Sequence, residues 1–460
     1  MSAGKRVAVI GAGPSGIAAA KECIQLGLGD GLVVFEKSDQ VGGNWVFREQ
    51  EGHSSVYETT HIISSKYYSE YEDFPFPDGV PDYPHHTHLK AYFQDYARHF
   101  GVLPKIRFHT EVLGAARDAQ GLWQIRSRGP DGERIESFDA LLVANGHHWN
   151  PRLPSYPGHF DGEFIHSHQF KRGETFRGKR VLVIGGGNSA ADVAVECARV
   201  SPHVSISMRR GHWFLPKFMF GLPGDVIYER AAWLPNWLRQ WAMQLTVHMI
   251  GGRNERFGLQ KPSYKILQGH PTLNSELIYF IGHGEIKPRP GVARLDGRRV
   301  HFSDGSSDEF DTIVAATGYR ISFPFFDKSF IDWEDTHYVP LWRRMFHESV
   351  PNLYFIGLFQ PIGCIWPLAD YQARLACLDI LGRYPRPADM RAKIEAERRR
   401  PHYRFVESPR HSTEVDYADF RRELFAELKK AGDGPHPRPK NASIFRLKEE
   451  ASATNRMRAA

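Results

Sequence analysis

Two stretches of the chain carry the same pattern of apolar and small residues. In the first, Val7-Ala8-Val9-Ile10 runs into Gly11-Ala12-Gly13-Pro14-Ser15-Gly16 and then into Ala18, Ala19, Ala20 and Cys23, ending near Leu26. In the second, Val181-Leu182-Val183-Ile184 runs into Gly185-Gly186-Gly187 and Asn188-Ser189-Ala190. A short unbroken apolar run predicts a strand buried on both faces, and the glycines after it predict a tight turn into a helix. Strand, glycine turn and helix in that order form a dinucleotide cradle, because small residues let backbone N–H groups approach a pyrophosphate at the helix N-terminus. One cradle is a weak signal; two in one chain are a strong one.

Further apolar runs predict strands at 32–35, 106–108, 122–125, 140–146, 204–208, 311–319 and 352–357, and helical spacing predicts helices near 89–100, 368–381, 388–399 and 417–430. Pro151, Pro154 and Pro157 mark the crossing from the first unit to the second. The stretch 54–84 contains Asp73-Phe74-Pro75-Phe76-Pro77; it is too long and too aromatic for a plain surface loop and is expected to lie over a bound ligand. Between His212 and Gly252, Leu234, Leu238, Trp241 and Leu245 recur at helical spacing among several large aromatics. Packing is the favoured reading there, with a substrate-access lid or a peripheral membrane contact as the alternative. The last twenty or so residues are expected to lack order.

The strand ends separate the two cradles chemically. Glu36 ends the strand 32–35, about 25 residues after Gly11, where a carboxylate accepts hydrogen bonds from both hydroxyls of an adenosine ribose. The same count from Gly185 leads to Arg209-Arg210, cations that favour a 2′-phosphate. The first cradle therefore suits FAD and the second suits NADPH over NADH. A glycine turn without a ligand, and an arginine pair merely exposed at a strand end, are the plainer alternatives.

Composition narrows the class. A chain of 460 residues has room for two or three domains, and 41% hydrophobic with 24% charged residues is ordinary globular usage. The net charge of +6 is modest, and no basic run interleaved with aromatics points to nucleic acid. Cys23, Cys197, Cys364 and Cys377 show neither a CxxC pair nor metal-ligand spacing, so they read as reduced, mostly buried thiols of a cytosolic protein and argue against a disulfide reductase. His85, His86 and His88 have no carboxylate or cysteine partner nearby, and no metal site is expected. Met1 to Lys5 lead directly into the first strand, leaving no room for a signal peptide, and the 213–250 region is too interrupted to span a membrane. The expectation is a soluble, cytoplasmic protein.

Phe160, Gly162, His166, Phe170 and Lys171 make the sequence specific. Their order resembles the fingerprint of the class B flavoprotein monooxygenases, and Phe170-Lys171 resembles its flavin-containing monooxygenase form; Baeyer–Villiger enzymes usually carry Trp followed by Pro or Asp there. The two cradles, Ala316-Thr317-Gly318-Tyr319, the 73–77 segment and Gly357-Leu358-Phe359-Gln360-Pro361 follow the family's order over roughly residues 5–380. The resemblance implies an α/β fold of two doubly wound Rossmann-like domains. FAD would be held by 1–154 and 319–384, NADPH by an inserted domain 155–318, with a charged helical extension at 385–460. It implies cofactor contacts at Gly11, Gly13, Pro14, Ser15, Gly16, Glu36, Gly43, Asn44, Trp45 and Val112, and at Gly185, Gly187, Asn188, Ser189, Ala190, Arg209 and Arg210, together with Thr317, Gly318 and Gln360.

The reaction implied is transfer of one oxygen atom of O2 to the nitrogen or sulfur of a small lipophilic amine or sulfide through a C4a-hydroperoxyflavin. NADPH supplies hydride and then covers the flavin. Such chemistry needs no acid–base dyad; His166 is expected to position a loop at the junction, or to be a packed, hydrogen-bonded residue. One departure stands out. Ile62 and Ile63 occupy the places of the family's Thr-Asn and offer no side-chain hydrogen bond. Either His61, Ser64 or Ser65 takes over the polar role, or the enzyme behaves partly as an NADPH oxidase. A Baeyer–Villiger oxygenase and a flavoprotein that only binds partners are the other readings, and a homodimer is left open. The C-terminal residues also lack the hydrophobic anchor of the membrane-bound vertebrate members.

Overall fold

A computed structural model describes residues 4–50, 52–406 and 408–447. The runs Val7–Ile10 and Ala140–Val143 lie side by side in a seven-stranded sheet ordered Leu341–Trp342, Phe346–His347, Leu353–Phe355, Ala140–Val143, Val7–Ile10, Leu32–Phe35, Ile106–Arg107. From Leu353–Phe355 onward the strands are parallel, and the first two form an antiparallel edge. Every residue of the two central strands is buried, which is why their sequences do not alternate. Val7, Val9 and Leu142 face the helices Pro14–Gln25, His86–His99 and Trp366–Ile380. Ala8, Ile10, Leu141 and Val143 face Val112, Trp123, Ile125 and Phe138, which belong to an antiparallel sheet of Glu111–Arg117, Trp123–Gly129 and Gly132–Phe138.

The second sheet is all parallel, ordered Glu163–His166, Thr312–Ala315, Val181–Ile184, Val204–Ser207, Ile286–Arg289. Val181 and Val183 pack on the helices Asn188–Ala198 and Leu277–Gly282, while Leu182 and Ile184 pack on Leu295, Val300 and Phe302 of a four-stranded sheet and on the adjoining Phe310. The chain thus leaves the first sheet after Val143, builds the second, and returns at Leu341. Helices cover one face of each sheet; on the other face the predicted doubly wound form gives way to small sheets. Apolar residues two apart, as in Trp123 and Ile125 or Val300 and Phe302, are strand spacing and account for the difference.

The C-terminal helices Met390–Arg399 and Tyr417–Lys430 bury Met390, Ile394, Phe420, Leu424 and Leu428 in the same core as Val7 and Val9. The chain then reaches a buried ion cluster. Lys21 Nζ contacts Glu22 at 2.6 Å and Asp73 and Asp370 at 2.9 Å, and His436 Nε2 lies 2.8 Å from Glu22. Ser443 N–H donates to Glu70 (2.9 Å), so part of the tail expected to lack order is docked; residues 448–460 lie outside the described ones.

Two further sequence expectations change. The helix placed near 89–100 spans His86–His99, because the His85 side chain caps it by accepting the Thr87 N–H. Of the tryptophans in the 212–252 segment Trp213 packs, but on or beside the helix Asn236–Gly251, Trp233, Trp237 and Trp241 are 81%, 70% and 61% exposed. Arg239 and Val247 turn inward instead. The Arg239 guanidinium lies 4.9 Å from the Tyr228 ring centre and 3.7 and 3.8 Å from Asp416 and Asp419, so paired charge occupies the face that spacing gave to leucine and tryptophan. Among the described residues no helix is long and apolar enough to cross a membrane.

Candidate cofactor sites

The first turn is shaped by backbone proximity. Gly11 adopts φ +102°, and a methyl group on it would lie 2.6 Å from the Ala144 carbonyl oxygen. A methyl on Gly16 would collide with the Gly11 carbonyl, so only glycine lets helix and strand pack this closely. Pro14 opens the helix, and neither Gly13 nor any other side chain caps it, leaving its first N–H groups for an anion. Gly43, in the short turn Gly43–Trp45, comes up against Gly13 from the other side, and Trp45 packs edge-on against Trp366. Asn44 Oδ1 accepts the Ser55 N–H (2.7 Å) and thereby anchors the start of the long aromatic segment. Ser15 lies against Gly357 at the end of the strand Leu353–Phe355.

Glu36 is buried and holds the turn together: its Oε2 accepts the Ala12 N–H at 2.7 Å and its Oε1 the Ser38 N–H at 2.8 Å. Beside it opens a cavity of about 760 Å³ whose lining includes Lys37, Gly43, His53, Arg128 and Trp149. Burial, reinforced by Lys37 and His168, pushes His53 down to about 3, so a neutral imidazole stacks on Trp149 at 5.5 Å. Val112 is buried on the sheet behind this wall.

At the second turn the same backbone meets different surroundings. Gly187 precedes the helix Asn188–Ala198, which again has no side-chain cap, and Ala190 packs against Gly185 while Ser189 is exposed. Asn188 Oδ1 accepts the Leu273 N–H (2.7 Å), and Thr272 Oγ1 donates to the Gly186 carbonyl (2.7 Å). His212 lies over Gly186 and the Arg410 guanidinium over Gly187. Arg209 and Arg210 follow Met208 at the end of the strand Val204–Ser207; Arg209 is exposed, Arg210 half-buried, and neither forms a hydrogen bond or ion pair among the described residues. Arg410 and His212 were invisible to sequence reasoning: no motif links either to the turn, and only the fold brings them there.

Between the turns runs the 160–171 segment. Gly162 leaves room for the Phe160 ring and the Asp311 carbonyl, and Phe170 stacks on Phe176 at 5.2 Å. His166 Nε2–H donates to the Gly318 carbonyl (3.0 Å), and its Nδ1 accepts the His168 N–H (3.1 Å). Burial lowers it to about 4, so it is a neutral, fully used imidazole that joins the strand Glu163–His166 to the 316–319 turn. Thr317 Oγ1 donates to the Arg152 carbonyl in the same crossing. Lys171 Nζ reaches the Ser54 carbonyl at 2.8 Å and fixes the segment after Asn44.

Of the polar candidates near Ile62 and Ile63, Ser64 is occupied and His61 turned away, while the buried Ser65 hydroxyl has no hydrogen-bond partner among the described residues. Ser64 Oγ bonds to Ser69 Oγ (2.8 Å), and Ser65 N–H donates to Asp225 (2.6 Å). His61 is exposed, bonded through Nδ1 to the Thr59 carbonyl (2.9 Å), and packs on His85. Ile62 is buried in the first core and Ile63 half-buried. Gln360 sits beside His147 and pairs with Glu414 of the C-terminal extension.

Residues 4–433 match the family described as FMO-like, flavin-binding monooxygenase-like. The chain is 36% identical over 448 residues to flavin-containing monooxygenase 5 of Oryctolagus cuniculus, an alignment covering 92% of this chain and 82% of that protein. It is 35% identical over 446 residues to dimethylaniline monooxygenase (N-oxide-forming) 2 of Rattus norvegicus, with the same coverage of 92% and 82%. Among solved structures it resembles S-allyl-L-cysteine S-oxygenase from Allium sativum, with a TM-score of 0.71 at 22% identity over 99% of this chain and 93% of that one. It also resembles cyclohexanone monooxygenase from Rhodococcus sp. Phi1 bound to NADP+, with a TM-score of 0.68 at 16% identity over 94% and 98%. These likenesses show the α/β fold that class B flavin monooxygenases share.

Proposed function

The chain belongs to the flavin-containing monooxygenase family and is an oxidoreductase of that class; on that premise we propose that it uses FAD and NADPH to transfer one oxygen atom of O2 to the nitrogen or sulfur of a small lipophilic amine or sulfide. The observation that carries the reading is the opposite charge at two like turns. Glu36 stands at the first beside a cavity of about 760 Å³, and arginines without a hydrogen bond or ion pair among the described residues stand at the second. Both helix starts are uncapped and faced by glycine, which fits a diphosphate at each. Bound there, FAD supplies the oxygen chemistry and NADPH the hydride.

The chain's own residues then have defined tasks. Gly11, Gly13 and Gly16 with Gly43 admit the FAD diphosphate, and Glu36 takes the adenosine ribose. Arg209 and Arg210 take the 2′-phosphate that separates NADPH from NADH. His166, the Thr317-Gly318 turn and Lys171 hold the two units and the aromatic segment in register, keeping water from the cleft. The domain division that goes with this reading is FAD at 1–154 and 319–384, NADPH at 155–318 and an extension at 385–460, in a cytoplasmic protein.

Phe170-Lys171 favours nitrogen or sulfur as the acceptor over a ketone, and likeness to an N-oxide-forming monooxygenase of Rattus norvegicus supports nitrogen. The decisive experiment is turnover of NADPH under 18O2 with an amine, a sulfide and a cyclic ketone. One labelled oxygen in the amine or sulfide product is the expected result; label in an ester or lactone would replace the reading with Baeyer–Villiger oxygenation. A second reading, an oxidase that releases peroxide, is favoured by Ile62 and Ile63, because Ser64 is already bonded to Ser69 and does not replace their missing amide. Peroxide equal to the NADPH consumed in the presence of substrate would establish it.

A further inference from the structure

The C-terminal extension reaches the second glycine turn at a single side chain. A methyl group built on Gly187 would lie 2.6 Å from Arg410 Nη2, so the guanidinium sits over the N-terminus of the helix Asn188–Ala198. Arg410 is carried by the turn Pro409–His411, where Ser408 Oγ bonds to His411 Nδ1 at 2.7 Å. Just beyond it, Glu414–Val415 pairs in parallel with Gln360–Pro361, and the Gln360 N–H donates to the Thr413 carbonyl at 2.9 Å. The segment is therefore anchored on the first unit while its arginine points at the second.

Arg410 itself has no hydrogen bond or ion pair among the described residues. Glu414 acts on it across space but lies 3.5 Å from His270 Nδ1. Positive charge accumulates around the turn: Arg210 and Arg410 both act on Tyr264. Burial, with these two arginines adding to it, also holds His212 and His411 down to about 3. Arg210 and Arg410, neither with a hydrogen bond or ion pair among the described residues, stand by a glycine turn that presents free N–H groups, and the acid that acts on Arg410, Glu414, is shared with His270. An anion of more than one charge is what such a site accommodates.

We propose that Arg410, delivered by the C-terminal extension, binds the diphosphate of the nicotinamide dinucleotide, so that the extension is part of the second cofactor site. The inference rests on the reading of the second turn as an NADPH site and divides its labour: Arg209 and Arg210 read the 2′-phosphate, and Arg410 holds the diphosphate common to NADP+ and NAD+. A residue outside both sheets thereby decides how firmly the dinucleotide stays.

The test is equilibrium binding to the oxidised holoenzyme, followed by flavin absorbance and by calorimetry, with NADP+, NAD+ and adenosine 2′-monophosphate as probes. Arg410→Ala is expected to weaken NADP+ and NAD+ by the same factor, about ten-fold to a hundred-fold, leave adenosine 2′-monophosphate within about two-fold, and keep flavin content and ligand-free melting temperature. Arg410→Lys, which keeps the charge without the planar fork, is expected to recover part of the loss. Unchanged NADP+ affinity in Arg410→Ala would overturn the proposal. So would an equal loss of adenosine 2′-monophosphate, which would make the segment a prop for Arg210. A wild-type holoenzyme that binds FAD but neither dinucleotide would bring down the reading of the second turn itself.

Discussion

At the first turn a carboxylate accepts the amides of Ala12 and Ser38 and becomes part of the backbone it serves. At the second turn the matching place is different: Ile184 pairs with Ser207 as Ile10 pairs with Phe35, so the residue corresponding to Glu36 is the buried Met208. Charge arrives with Arg209 and Arg210 and, from far along the chain, Arg410. One site is built of short, fixed groups and the other of long, unpartnered ones. The first is pre-organised and suits a cofactor that stays; the second offers long side chains without ion pairs among the described residues and suits one that is exchanged every turnover.

The comparison breaks most sharply at glycine. Gly16→Ala drives a methyl into the Gly11 carbonyl, a rigid obstacle, and should cost about 3 kcal/mol with loss of bound flavin. A purified Gly16→Ala protein that keeps its flavin absorbance would mean that the first turn is not rigid.

Next in size is a pH effect confined to the first unit, whose leading helix carries Lys21 and Glu22. Burial opposes the charged form of His436, but the Asp370 and Glu22 carboxylates outweigh it and raise His436 to about 9. A raised value means that the stabilisation is complete below the ordinary 6.5 and is lost as pH climbs through 9. Melting temperatures should fall across that window, by the equivalent of up to about 3 kcal/mol, and His436→Gln should flatten the profile. A wild-type profile already flat from pH 6.5 to 9 would remove the cluster from the stability of this unit.

Arg210→Ala tests the second turn. The ratio of KM values for NADPH and NADH should move by about ten-fold to a hundred-fold toward NADH; an unmoved ratio would make the pair an ordinary strand end. The smallest effect belongs to Gly187→Ala. Its methyl meets only the tip of a flexible Arg410, so the protein should keep its flavin and lose no more than about 1 kcal/mol of stability while NADP+ binding weakens. Loss of flavin in Gly187→Ala would show that the two turns are not separable.

Much of this was legible because a strand buried on both faces must be apolar throughout, as Val7–Ile10 and Val181–Ile184 are, and because Gly11 and Gly16 meet carbonyls that no side chain tolerates. What was hidden depended on partners distant in sequence. Apolar spacing on Asn236–Gly251 gave the helix but the wrong inner face, since the face is set by Arg239 meeting Asp416 and Asp419. The role of Arg410 is hidden for the same reason. His166 was readable as a junction residue, but its partner, the Gly318 carbonyl, carries no side chain to signal it.

The order of strands also sets a schedule. Val181–Ile184 finds every neighbour of its sheet between residues 163 and 315, so that sheet can close while the chain is still being made. Val7–Ile10 is synthesised first, yet Ala140–Val143 beside it waits for Leu353–Phe355, and Lys21 waits for His436. The first unit to emerge is thus the last to be finished, and its half-built sheet edge and buried lysine stand open for most of translation. Nascent chains stalled before residue 353 should therefore protect the second sheet from proteolysis and leave the first exposed.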